Sequence, residues 1–251
     1  MRPIVAILPD ALRQFPQCRR HGCQISRQGA GQIAPVGTTS ELWYLTFGKT
    51  NPGTLAYEGR GDPPHAGGGD PLPPTEKPKG YSLSDIAKAT AFFATSAPES
   101  RNKNTEPKVP FQILYTSKEP SSNTFSVRPG TTLYVPIFFA TDSLPITGNF
   151  PDVADPKAVE NYVFSDEELG AEAFAIDVDG KVTFIKEDSG YIVGVKVAKL
   201  ADGEGKQYIT AAVFLTPLTK GEHTVKIKGK LTGDALPAPF EFDITYTVKV
   251  N

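Results

Sequence analysis

The run Phe240–Val250 alternates strictly between two kinds of side chain. Phe240, Phe242, Ile244, Tyr246, Val248 and Val250 fall on one side; Glu241, Asp243, Thr245, Thr247 and Lys249 fall on the other. Successive side chains of an extended chain point to opposite faces, so this period of two spells a strand with one face on a core and one in water. Upstream, Val225 and Ile227 alternate with Thr224, Lys226 and Lys228 in the same way. Tyr208–Leu215 is more continuously apolar, as suits a central strand buried on both faces. Gln207–Val250 is therefore predicted to form three consecutive antiparallel strands.

The other end of the chain has a different composition. Residues 1–60 carry six arginines and one lysine against Asp10, Glu41 and Glu58, a net charge of +4, whereas the remainder carries two arginines, 17 lysines and a net charge of −6. Both cysteines, Cys18 and Cys23, lie in the first part. Apart from Leu42–Phe47 (LWYLTF), which could pair as a strand, that part lacks a strand or helix period. Residues 1–61 are expected to be a poorly ordered basic tail or a non-native extension, a small extra element being the third reading. Residues 62–79 are dense in Pro and Gly and read as a linker. The domain is expected over residues 80–251.

No stretch approaches the roughly 20 apolar residues of a membrane span. Ile4–Leu8 is too short for the apolar region of a secretory signal, so none is expected in the chain as written. Residues 80–251 contain no cysteine, which fits an oxidising compartment as well as a reducing one.

Within the domain, Ser82 and Asp85 resemble a capping pair ahead of Leu83, Ile86, Ala87 and Phe93 at helical spacing. This predicts a helix over 80–95 that covers one end or edge of the sheets. Strands follow at short intervals around Phe111–Tyr115, Thr124–Val127 and Thr132–Ala140. In the last of these Leu133, Val135, Ile137 and Phe139 share one face, Tyr134 and Phe138 the other, and Pro136 argues for an edge strand or a bulge. Asp155-Pro156 predicts a helix start, and Ser165 a second cap before a short helix. Asp179-Gly180 predicts a two-residue type I′ turn between Phe174–Val178 and Val182–Phe184. About nine strands at this spacing, without repeated crossover helices, exclude a doubly wound α/β fold and predict an all-β antiparallel sandwich of Ig-like or jelly-roll kind, with a short N-terminal helix and a small helical insertion.

The order of these segments, VRPGTTLYVPIFFA, AIDVDGKVTFI, LTPLTKGEHTVKIKG and FEFDITYTVKV, resembles a group of largely uncharacterised secreted bacterial β-sandwich proteins. Their pattern includes a VPAGTALFFP-like strand and an LPPGTHTI-like hairpin, and the resemblance covers roughly residues 80–251. Members often carry Trp pairs and a cysteine in the early helical region, where this chain has Phe92 and Phe93. The resemblance implies an exported β-sandwich, secreted or in the cell envelope, and supplies no catalytic residues.

Candidate chemistry is sparse. Cys18 and Cys23 with His21 between them lack the further ligands of a tetrahedral zinc site, and Arg19 and Arg20 oppose a cation. Asp177-Val178-Asp179-Gly180 resembles the start of a calcium loop, but Lys181, Val182 and Thr183 do not continue it. The distinctive feature is the acidic insertion 152–172, whose Asp152, Asp155, Glu160, Asp166, Glu167 and Glu168 form a candidate ligand or cation surface. His223 falls in register with Val225 and Ile227 and is expected at the core or rim. Tyr81, Tyr115, Tyr134, Tyr162, Tyr191 and Tyr208 could supply a sugar-stacking platform. The negative domain argues against nucleic acid. No catalytic residue, metal or cofactor is singled out.

The first functional expectation is a non-enzymatic extracellular or envelope module that binds a protein or glycan. A carbohydrate-binding or carbohydrate-active protein is the first alternative. The second is a self-assembling homo-oligomeric subunit that pairs through an open edge at Phe240–Val250.

Overall fold

A computed structural model describes residues 68–117 and 123–251. Cys18, His21, Cys23, Leu42–Phe47 and His65 lie outside the described residues.

Nine strands and two helices follow one another in the described chain. The strands are β1 (Gln112–Ile113), β2 (Thr124–Val127), β3 (Leu133–Thr141), β4 (Ala171–Val178), β5 (Lys181–Ile185), β6 (Ile192–Lys196), β7 (Gln207–Leu215), β8 (Gly221–Leu231) and β9 (Phe240–Val250). Helix α1 (Leu83–Thr95) precedes them, and α2 (Pro156–Phe164) lies between β3 and β4. Four strands form one sheet in the order β1-β3-β7-β6, and five form another in the order β2-β9-β8-β4-β5.

This order corrects two expectations. The C-terminal strands are not one antiparallel triplet: β8 and β9 pair as a hairpin, but β7 sits in the other sheet between β3 and β6. Nor is pairing purely antiparallel, because β1 runs parallel to β3 and β2 parallel to β9. The double-sided apolar run of β7 explains its place. Ile209, Ala211, Val213 and Leu215 join the core shared with β4, β8 and β9, while Tyr208, Ala212 and Phe214 meet α1 and its surroundings. A strand so buried needs a layer on each side. Helix α1 supplies the second layer by packing on the outer face of the four-stranded sheet, not at an end or edge as expected.

Strand β3 carries a bulge, one of the two readings that Pro136 offered, although the alternation of its sequence runs through it unbroken. Pro136 pairs with Ala212 and Phe138 with Ala211, leaving Ile137 as the extra residue. The parity therefore flips. Phe138 joins Leu133, Val135 and Ile137 in the shared core, and Phe139 turns to the α1 side against Tyr208. The sequence reading had these two phenylalanines interchanged.

The helices start where their caps dictate. Ser82 Oγ accepts from Asp85 N–H at 3.1 Å and Asp85 accepts from Ser82 N–H at 3.0 Å, a complete capping box. Asp155 Oδ1 accepts from Lys157 and Ala158 N–H at 3.0 and 3.2 Å, with Pro156 as the first residue of α2. The helix predicted after Ser165 is absent: the chain makes a turn there, closed by Gly170 N–H on Ser165 O at 2.8 Å. Gly170 takes a φ of 57°, a left-handed conformation that glycine adopts without strain.

Of the stretch read as a linker, residues from Gly68 onward lie along β7. Leu72 N–H donates to Phe214 O at 2.8 Å, Thr216 N–H donates to Asp70 O at 2.8 Å, and Asp70 pairs with Lys181 at 2.6 Å.

Candidate functional site

The acidic insertion does not converge on a point. Asp152 accepts from Ala154 N–H and pairs with Lys196, both at 3.1 Å, and these bonds hold its carboxyl below the usual range. Asp155 caps α2. Glu160 accepts from Asp188 N–H at 2.7 Å, and its partial burial raises its pKa. Glu168 receives Asn149 through both the backbone N–H at 2.8 Å and the side-chain amide at 2.9 Å. Asp166 and Glu167 are exposed. Four of the six acids therefore stitch loops and caps. Among the described residues no group of three or more His, Cys, Asp or Glu is arranged to hold a metal ion.

A neighbouring hollow, lined by Asp142, Phe150, Asp152, Lys196, Lys206 and Gln207, is tied up in the same way. Asp142 Oδ1 accepts from Lys206 and Gln207 N–H at 2.7 and 2.8 Å. Close by, Asp202 receives the hydroxyls of Thr141 and Ser143, both at 2.8 Å.

The tyrosines proposed as a platform are largely inside. Tyr134, Tyr162 and Tyr208 are buried, Tyr115 and Tyr191 are half-buried, and Tyr81 is the one of the six that is exposed. Burial pushes the hydroxyls of Tyr134, Tyr162 and Tyr208 well above the ordinary range, so they stay protonated.

The Asp177–Gly180 segment is turn chemistry. Asp179 and Gly180 adopt φ of 52° and 90°, Asp177 Oδ1 accepts from Gly180 N–H at 2.7 Å, and Asp179 Oδ1 accepts from Thr224 N–H at 2.8 Å. The other oxygen of Asp179 meets His223 Nδ1 at 2.6 Å, and Thr219 O meets His223 Nε2 at 2.9 Å. Both ring nitrogens therefore face oxygens that accept only. A neutral imidazole can donate to one of them, whereas an imidazolium donates to both. Burial works to lower the His223 pKa, but the bonds to Asp179 and Thr219 outweigh it and the net shift is upward. His223 bridges the β4–β5 turn and the segment leading into β8.

A further surface of distinct character among the described residues is the outer face of the five-stranded sheet. The alternation of β8 and β9 places lysines against acids there. Lys228 pairs with Asp243 at 3.0 Å, Lys230 with Glu172 at 2.8 Å and with Glu241 at 3.8 Å, and Lys249 with Glu222 at 3.1 Å. Beside this ladder stand the β5 side chains Val182 and Phe184, 49% and 56% exposed. Glu172, Ala175, Phe184, Lys228, Lys230 and Asp243 are among the residues that line a depression of about 550 Å³.

Val182 and Phe184 were missed as site residues, although a signal for them was available. A two-residue turn at Asp179-Gly180 pairs Asp177 with Val182 and Ala175 with Phe184, as is observed. With Phe174, Ile176 and Val178 facing inward, Val182 and Phe184 have to face water.

No family model matches the chain, and no curated protein matches it. Among solved structures, the solution structure of amebosin is similar at 14% identity and a TM-score of 0.24, over 57% of this chain and 100% of that one. At that TM-score the likeness carries no argument about fold or function. No helix among the described residues is long and apolar enough to cross a membrane.

Proposed function

We propose that this protein is a non-enzymatic binding or assembly module of the extracellular or cell-envelope kind, built as a β-sandwich. The sandwich reading is supported by one cluster that joins Val135, Ile137, Ile209 and Val213 of the smaller sheet to Phe174, Ile176, Val225 and Val248 of the larger. The exported location rests on the resemblance of residues 80–251 to secreted bacterial sandwiches. The observation that carries the binding reading is the exposed Val182–Phe184 pair beside the charge ladder. Apolar side chains of this size, set among fixed polar groups on a sheet face, suit a partner surface better than they suit water.

A second reading, a carbohydrate-binding face, draws on the same depression. One exposed ring, Phe184, flanked by Glu172, Asp243 and Lys228, offers a stacking surface with hydrogen-bonding groups around it. Titration of the full chain with a glycan panel, followed by amide chemical shifts, tests both readings. Shifts confined to Ala175, Phe184 and Lys228 and abolished by Phe184→Ala support the glycan reading. Hydrolytic turnover lost on Glu172→Gln would overturn the non-enzymatic one.

A further inference from the structure

Resting on that reading, we propose that β5 is a self-pairing edge: a second copy of this chain adds its own β5, antiparallel across a two-fold axis, with Val182 opposite the partner's Phe184.

The direction of the free backbone groups follows from one hydrogen bond. Asp179 N–H donates to Thr224 O on β8 at 3.0 Å. Backbone groups alternate in direction along an antiparallel strand, so Phe174, Ile176 and Val178 turn their N–H and C=O towards β5. Their partners there are Ile185, Thr183 and Lys181. Val182 and Phe184 therefore aim their N–H and C=O away from the sheet, and none of the backbone hydrogen bonds made outside the strand ladders among the described residues engages them. The same two residues carry the exposed apolar side chains.

Edge strands of soluble proteins usually defend themselves with a central charge, a proline or a bulge. None of these interrupts Val182–Phe184. The lysine at the start of the strand, Lys181, is held by Asp70 at 2.6 Å. At the other edge of the sheet, by contrast, β2 covers Thr247–Val250. The edge expected to be open at Phe240–Val250 is therefore covered by β2 in its last four residues alone.

The occupant is chosen by self-complementarity. A two-fold axis at Thr183 sets Val182 against the partner's Phe184 and Phe184 against the partner's Val182, and each of these pairs can exchange both of its hydrogen bonds. The four apolar side chains then form one patch on the outer face. Lys186 lies within 6.0 Å of the Phe184 ring and has no ion pair among the described residues. In this register it falls opposite the partner's Gly180 and beside the partner's Asp179, an acidic neighbour, while Glu187 falls opposite the partner's Asp179 just beyond the ends of the paired strands. Two such short strands bury less than the roughly 1,200 Å² of a standard interface, so the dimer is reversible and forms at high micromolar concentration or above.

Sedimentation velocity of the full chain over a concentration series tests this, paired with hydrogen exchange at both ends of the series. The expected result is a sedimentation coefficient that rises with concentration, with slowing of the Val182 and Phe184 amides in parallel. The double variant Val182→Lys/Phe184→Lys stays monomeric and folded. Val182→Pro removes an N–H that β4 does not use, and weakens association about tenfold. Three outcomes overturn the proposal: a monomer at every concentration, a dimer that survives the double variant, or Val182 and Phe184 amides already protected in the dilute monomer, which would mean that another segment of the same chain covers the edge. Glycan binding at Phe184 without self-association would sink this inference and leave the binding module standing.

Discussion

Replacing His223 by Gln removes the one side chain that donates to both Asp179 and Thr219. Hydrogen bonds to charged groups contribute about 1.5–3 kcal/mol each. The sum is not the expected cost, because Asp179 is about half exposed, with 45% of its side chain in contact with solvent, and regains water when the ring is lost. A net loss near 2 kcal/mol follows, or about 4–8 °C in Tm for a chain of this size. The sharper signature is in pH. The folded-state pKa of His223 lies above its ordinary value of 6.5, so its contribution is fully present below that value and is lost as pH rises through the raised folded pKa. Calorimetry at a series of pH values from mildly acidic to alkaline should show the wild type losing stability across that window. His223→Gln should lack that step, so its gap to the wild type narrows as pH rises. Identical pH profiles for the two proteins, or NMR evidence for a neutral His223 ring below pH 6.5, would refute the doubly donating imidazolium.

Other outcomes follow from packing and caps. A Cβ at Gly229 would lie 2.7 Å from Phe174 Cδ1 and press on the Phe242 ring, so Gly229→Ala is expected to cost about 1–3 kcal/mol in denaturant unfolding. Arg101 is buried and donates from Nε and Nη2 to Ser96 O at 2.9 and 2.7 Å, at the C-terminus of α1. Arg101→Ala should destabilise by about 2–4 kcal/mol and speed amide exchange in the last turn of α1; an unchanged exchange pattern would remove its capping role. Asp155→Ala should cost about 1 kcal/mol through α2. Millimolar calcium should leave Tm unchanged, because the acids of the insertion do not converge; a calcium-dependent rise would reopen that surface.

The secondary structure was legible in the sequence because its signals are local. Alternation marked β9 and β8, Asp179-Gly180 marked the hairpin, and the Ser82 and Asp155 caps marked both helices. What stayed hidden is non-local. The divorce of β7 from β8 depends on which layer covers each face of β7, and the period of its sequence says only that both are covered. Pro136 pointed to the bulge at Ile137, but the alternation of β3 does not show that the bulge exchanges Phe138 and Phe139 between layers. Asp152 to Glu168 are close in sequence, and backbone N–H groups and side chains of separate loops bond to Asp152, Asp155, Glu160 and Glu168, a non-local feature that clustering along the chain does not show. The β5 face was recoverable from turn register and the inward set Phe174, Ile176 and Val178, since a fixed two-residue turn determines every pair that follows it.

The central claim is that β5 closes the five-stranded sheet with an open edge whose outward groups belong to Val182 and Phe184. Residue-resolved amide exchange on dilute full-length protein addresses it directly. The account predicts alternation along β5, with Thr183 and Ile185 slow and Val182 and Phe184 fast. Uniform protection of all four, or the opposite alternation, would contradict it.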